Sequence, residues 1–123
     1  MQFSSSKTDK PETAHFYQDL EFSDKSVVIT PMLDSGFGKE IRIAFKEGQV
    51  MKEHKTKFPI TVMALRGNIE FSVGEDIFIL EAGALISLEG GVMHALKATE
   101  ESVIRLSLHK SDTADRVKGV LEL

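Results

Sequence analysis

From Val27 onward the chain repeats one pattern: five to nine residues rich in Val, Ile, Phe and Leu, then a short cluster of turn formers. Ile41, Ile43 and Phe45 alternate with Arg42, Ala44 and Lys46, and Ile69, Phe71 and Val73 alternate with Glu70 and Ser72. A period of two sends successive side chains to opposite faces of a strand, so both segments are expected to be half-buried, with one wet face. Residues 77–80 and 85–88 are nearly unbroken apolar runs. They are too short for helices and are expected as strands covered on both sides. Glycine, asparagine and aspartate tolerate the backbone of tight reversals, which places turns at 34–38, 67–68, 74–76 and 89–91, with a further one at 99–101. Eight or more short strands at this spacing predict a sandwich or barrel.

The two ends depart from the pattern. Residues 1–12 are polar and serine-rich, a composition that buries too little apolar area to offset ordering entropy, so a loose arm is expected there. After Leu108, Asp112 is placed to cap a helix, and Ala114, Val117, Val120 and Leu121 recur at helical spacing. Residues 111–123 are therefore expected as a short amphipathic helix docked on a barrel formed by 13–110. Gly119 weakens that helix by about 1 kcal/mol relative to alanine.

Composition narrows the function more than the fold. The 123 residues make one domain, with 41% hydrophobic residues and a formal net charge of −4. Fifteen Lys and Arg are scattered against nineteen Asp and Glu, with no basic stripe to attract nucleic acid. The absence of cysteine excludes a thiol nucleophile, a disulfide framework and a zinc knuckle. No apolar stretch reaches membrane-spanning length and the first residues carry no secretory signal, so a cytoplasmic location is expected. There is no Gly-x-Ser-x-Gly segment to anchor a hydrolase triad and no phosphate-cradling loop.

Candidate chemistry concentrates on two histidines in glycine frames. The first frame runs Gly48, five residues, His54, Lys55, Thr56, three residues, Ile60, six residues, Gly67. The second runs Gly83, five residues, Glu89, Gly90, Gly91, two residues, His94, three residues, Ala98. These segments resemble the two motifs of the cupins, small jelly-roll barrels of the double-stranded β-helix type. Gly48, His54 and Gly67 match the first motif, with Thr56 in place of its second histidine and Ile60 in place of its glutamate. Gly83, Gly91 and His94 match the second, with Glu89 in place of proline and Ala98 in place of asparagine. The resemblance spans residues 38–109. It implies an all-β cupin barrel in which His54 faces His94 across the barrel, beside Lys52 or Thr56 on an inward strand face, with Val62 and Leu96 also lining the pocket.

Complete cupin sites hold iron, manganese, zinc, nickel or copper with three histidines and a glutamate. Here His54 and His94 are the only matching metal ligands, and two imidazoles alone make a poor site for such ions. Three roles stay open for the pair: ligands of a divalent transition metal, pocket groups satisfied by hydrogen bonds, or a general acid or base in a metal-free site. The expected function is binding of a small organic molecule in a His-lined pocket formed by His54, Thr56, Ile60, Val62, His94 and Leu96. The alternative is a metal-dependent or metal-free enzyme, an oxygenase, isomerase or decarboxylase, acting on a small substrate. A homodimer is expected, as small cupins often pair through a sheet face or exchange N-terminal strands. Other notable residues have simpler expected roles: Tyr17 packing with Phe16 on a first strand, His109 exposed, Arg66 in a surface ion pair, and Met51, Met63 and Met93 filling irregular core space.

Overall fold

The computed structural model describes residues 10–110, so the helix expected over 111–123 and most of the arm expected over 1–12 lie outside the described residues. Nine strands follow in order: β1 (Val28–Asp34), β2 (Gly38–Phe45), β3 (Val50–His54), β4 (Ile60–Arg66), β5 (Asn68–Val73), β6 (Asp76–Glu81), β7 (Leu85–Leu88), β8 (His94–Ala98) and β9 (Ser102–His109). They form a five-stranded sheet, β1-β2-β9-β4-β7, and a four-stranded sheet, β3-β8-β5-β6. All pairings are antiparallel. The sheets bury their inward apolar positions against each other, with Ile43, Phe45, Ile60, Val62, Ile69, Phe71, Leu96 and Ile104 in one continuous core. Such a double-sheet jelly roll is one way an all-β chain limits its exposed edges.

The reversals fall at the expected clusters, and one shows why glycine is needed. Gly67 carries the chain from β4 in one sheet to β5 in the other at φ 91°. A Cβ at this position would lie 2.3 Å from the Glu101 carbonyl oxygen, so close approach and left-handed backbone both demand glycine.

Two expectations from periodicity are corrected. Arg42 and Ala44 were expected on a wet face, yet both are buried. Residues 13–24 cross that face as a strap, which a two-residue period cannot foresee because the cover comes from elsewhere in the chain. The Arg42 guanidinium donates from Nη1 to the Phe16 and Gln18 carbonyls at 3.0 and 2.9 Å, and from Nη2 to the Asp19 carbonyl at 3.3 Å. Gln49 Nε2 adds a bond to the Ser23 carbonyl at 2.7 Å, and the Tyr17 hydroxyl reaches the Leu65 carbonyl at 3.4 Å.

The apolar runs at 77–80 and 85–88 were expected to be covered on both sides. Instead β6 and β7 are edge strands, and Ile77, Phe78, Ile79 and Leu85 are exposed. An unbroken apolar run records composition, not cover. Two smaller expectations agree with the structure: Arg66 pairs with Glu101 at the surface, and His109 is exposed with its Nε2 3.1 Å from Thr61 Oγ1; Met93, expected to fill core space, is instead exposed in the loop before β8.

Candidate functional site

The site is built where β3 and β8 lie side by side. Val50 pairs with Lys97 and Met51 with Leu96, after which the register shifts so that His54 pairs with His94. Two residues, Lys52 and Glu53, thus stand opposite Ala95 alone. Such a bulge reverses the in-out parity, which lets Met51 and His54, three residues apart, both line the interior. Lys52, expected as an inward neighbour of His54, is exposed. The bulge corrects a second expectation: the histidines do not face each other across the barrel but are cross-strand neighbours in one sheet. Their ring centroids are 4.3 Å apart at an interplanar angle of 58°.

Both imidazoles are held in the same way. His54 Nδ1 lies 2.8 Å from the Lys52 carbonyl oxygen, and His94 Nδ1 lies 2.9 Å from the Val92 carbonyl oxygen. A carbonyl oxygen can only accept, so in each neutral ring Nδ1 carries the proton and Nε2 keeps a lone pair. His94 is 2% exposed and stacks parallel on Phe71, with centroids 5.4 Å apart and planes 4° apart. Burial pushes its pKa below the ordinary histidine value, the Val92 bond opposes this, and neighbouring His54 lowers it further. His94 is accordingly a neutral acceptor at physiological pH. His54 beside it is half-buried.

The six residues singled out from sequence, His54, Thr56, Ile60, Val62, His94 and Leu96, all border one cavity of about 20 Å³. Ile43, Met51, Ile104 and Leu106 complete its wall. Ile43, Ile104 and Leu106 come from the five-stranded sheet, where Ile43 pairs with Ile104 across β2–β9 and Leu106 with Val62 across β9–β4. The volume holds one water-sized group. Thr56 lies in the loop between β3 and β4, where its hydroxyl donates to the Phe58 carbonyl at 2.9 Å and its own carbonyl accepts from Gly91 N–H at 2.8 Å. The loops at 55–59 and 89–93 are thereby latched over the cavity. A Cβ on Gly90 would lie 2.3 Å from the Lys57 carbonyl oxygen, so the latch closes only around glycine.

No protein-family model matches the sequence, and no curated protein matches it. Solved structures do match its fold. An RmlC-like cupin from Desulfovibrio desulfuricans superposes with a TM-score of 0.75 at 18% identity, over 81% of this chain and 97% of that one. A protein with a double-stranded β-helix domain from Klebsiella pneumoniae gives 0.74 at 13% identity, over 85% and 95% of the two chains. A cupin superfamily protein from Desulfitobacterium hafniense gives 0.69 at 12% identity, over 75% and 84%. The chain has the fold of these small cupins, a double-stranded β-helix; at these identities the likeness carries the fold and not a function.

The cupin fold raises the question of a metal, and the donor set answers it. Ile60, at the position of the family's glutamate, is 1% exposed and belongs to the apolar core. Thr56 offers a hydroxyl already engaged with a carbonyl. Among the described residues no three His, Cys, Asp or Glu side chains come together in a metal-holding group. Two imidazoles facing an aliphatic wall do not fit a resident divalent ion, which asks for further anionic or imidazole ligands.

Proposed function

We propose that this cupin-fold protein binds a small organic molecule without a metal, seating one hydrogen-bond donor of the ligand on the His54–His94 pair. The observation that carries this is the matched bonding of the two rings. Each spends its Nδ1–H on a carbonyl two residues back, leaving Nε2 as the acceptor of each ring, and the two rings, with centroids 4.3 Å apart, line a largely apolar cavity. A hydroxyl or an ammonium group satisfies such a pair, whereas a carboxylate would meet two lone pairs and no donor. The cavity of about 20 Å³ admits the donor group only, so the body of the ligand rests outside it, over half-buried His54 and Thr56. This division, an apolar wall with few oriented polar groups, is how small-molecule sites combine affinity with orientation.

The test joins mass spectrometry of small molecules released on denaturation with NMR titration of fragment alcohols and their methyl ethers. Alcohols should shift the His54 and His94 ring resonances, and ethers, which lack the donor, should bind about tenfold more weakly, a difference of 1.4 kcal/mol. His54→Ala and His94→Ala should each remove the preference. Equal binding of alcohol and ether, or a preference that persists in both variants, would refute the proposal.

A further inference from the structure

Four strands lie at the edges of the two sheets, β1 and β7 in one, β3 and β6 in the other. An edge strand offers unpaired N–H and C=O groups to any other chain, and proteins guard such edges with proline, bulges, charged side chains or shortness. Three of the four edges are guarded. β1 contains Pro31 and a register shift between Pro31 and Leu33. β3 has its bulge, with Lys52 and Glu53 exposed in it. β7 is only four residues long. β6 has none of these devices: its pairing with β5 is regular from Asp76 to Glu81, and it contains no proline, lysine or arginine. Residues 76–80 make no backbone hydrogen bond outside that ladder among the described residues. Ile77, Phe78 and Ile79 are consecutive and exposed by 60, 43 and 52%. Successive side chains of a strand point to opposite faces, so the open edge is apolar on both flanks.

Charge around this edge selects what can pair with it. Glu75 in the β5–β6 turn, Asp76 and Glu81 are all exposed, and none makes an ion pair among the described residues. Glu70, cross-strand from Ile79, adds a carboxylate to the outward face, with Lys97 beyond it on β8. A second copy of the chain fits this edge badly. Opposed residues of antiparallel strands share a face, so a twofold axis relating two β6 strands must pass through a residue. Only an axis through Phe78 sets all three exposed apolar residues against apolar ones, Ile77 against Ile79 and Phe78 against its twin. That register also sets Glu75 against Glu81 twice and Asp76 against Leu80, and like charges directly opposite are destabilising. We propose that β6 is a docking edge for another protein, which adds an extended strand: its apolar residues meet Ile77 and Ile79, and basic residues at its two ends meet Glu81 and Glu75.

The experiment titrates the full chain with two capped peptides, acetyl-Lys-Thr-Val-Thr-Val-Thr-Lys-amide and its counterpart with Glu at both ends, and follows backbone amides by NMR. In antiparallel register the valines lie opposite Ile79 and Ile77, and the end residues opposite Glu81 and Glu75. The Lys-ended peptide should give saturable shifts centred on residues 68–81, and the Glu-ended peptide should bind about tenfold more weakly. Glu75→Lys combined with Glu81→Lys should reverse that preference. Ile79→Lys, which places a guard on the exposed edge, should weaken the Lys-ended peptide about tenfold and leave sedimentation of the protein unchanged. Shifts that stay linear with peptide concentration, equal binding of the two peptides, a preference unmoved by the double charge reversal, or an oligomer of the parent that Ile79→Lys dissociates would each overturn the proposal.

Discussion

Replacing Ile60 by glutamate restores the side chain that a metal-holding cupin carries at this position, and its consequences can be worked from the structure. Ile60 is 1% exposed and lies between Leu88 and Leu108 in the five-stranded sheet. Losing the buried isoleucine removes about 2 kcal/mol of apolar burial. Placing a carboxyl group in an aliphatic wall with no donor costs about 1–3 kcal/mol more, even if the group takes a proton to avoid burying charge. A total of about 3–5 kcal/mol follows, which for a domain of this size lowers Tm by roughly 15–30 °C. The same carboxylate borders the cavity lined by His54 and His94, so zinc or manganese should recover part of the loss. At a metal concentration of about one hundred times Kd the recovery is about 2.7 kcal/mol. Differential scanning fluorimetry with and without metal measures all of this, and Ile60→Gln separates ligation from simple polarity. Ile60→Glu should be destabilised and rescued, Ile60→Gln destabilised and not rescued, and the natural protein indifferent to metal. An Ile60→Glu protein as stable as the parent would refute the packing argument, and a metal-dependent rise in the Tm of the natural protein would refute the metal-free site.

Gly90→Ala should cost about 2–4 kcal/mol, because the new Cβ meets the Lys57 carbonyl backbone at 2.3 Å and must part the two loops; urea denaturation measures it. Burial holds the folded-state pKa of His94 below its unfolded value, so its neutral form contributes stability that is present above the ordinary histidine pKa and lost as pH falls through the lower folded value. Denaturation curves across that window should fall with acidification in the parent and flatten in His94→Gln, and an unchanged slope would contradict the assignment. Arg42→Met should cost about 2–4 kcal/mol, since three strap carbonyls lose a charged donor. Hydrogen exchange should then speed up over residues 13–24 while the β9–β4 pairing stays protected; uniform loss of protection would show that the strap is not a separable unit.

Much of the architecture was legible in the sequence because alternation and turn chemistry are local. Ile41, Ile43 and Phe45 point inward, as their period of two requires, and the turns at Gly67, Gly74 and Gly91 use glycines at positive φ. The glycine frames likewise brought His54, Thr56, Ile60, Val62, His94 and Leu96 to one cavity. What was not legible depended on partners distant in sequence. Arg42 looks like a wet-face residue until residues 13–24 fold over it, and no local pattern encodes that crossing. Ile77 and Ile79 look like part of a doubly covered strand, yet both are exposed, because no element among the described residues packs on their face of β6. The bulge at Lys52 and Glu53 inserts one residue with no glycine or proline to mark it, and so hid both the inward parity of Met51 and the direct pairing of His54 with His94. The signal that could have found it was Met51 itself, an apolar residue three positions before an inward histidine.

Under the proposed function, His54 and His94 serve an organic donor and hold no resident metal. Elemental analysis of protein purified without chelator or nickel affinity, before and after reconstitution with iron, manganese and zinc, tests it most directly. The expected result is metal well below stoichiometry in every preparation, with no difference from the His54→Ala, His94→Ala double variant. About one metal ion per chain in the parent, lost in the double variant, would contradict it.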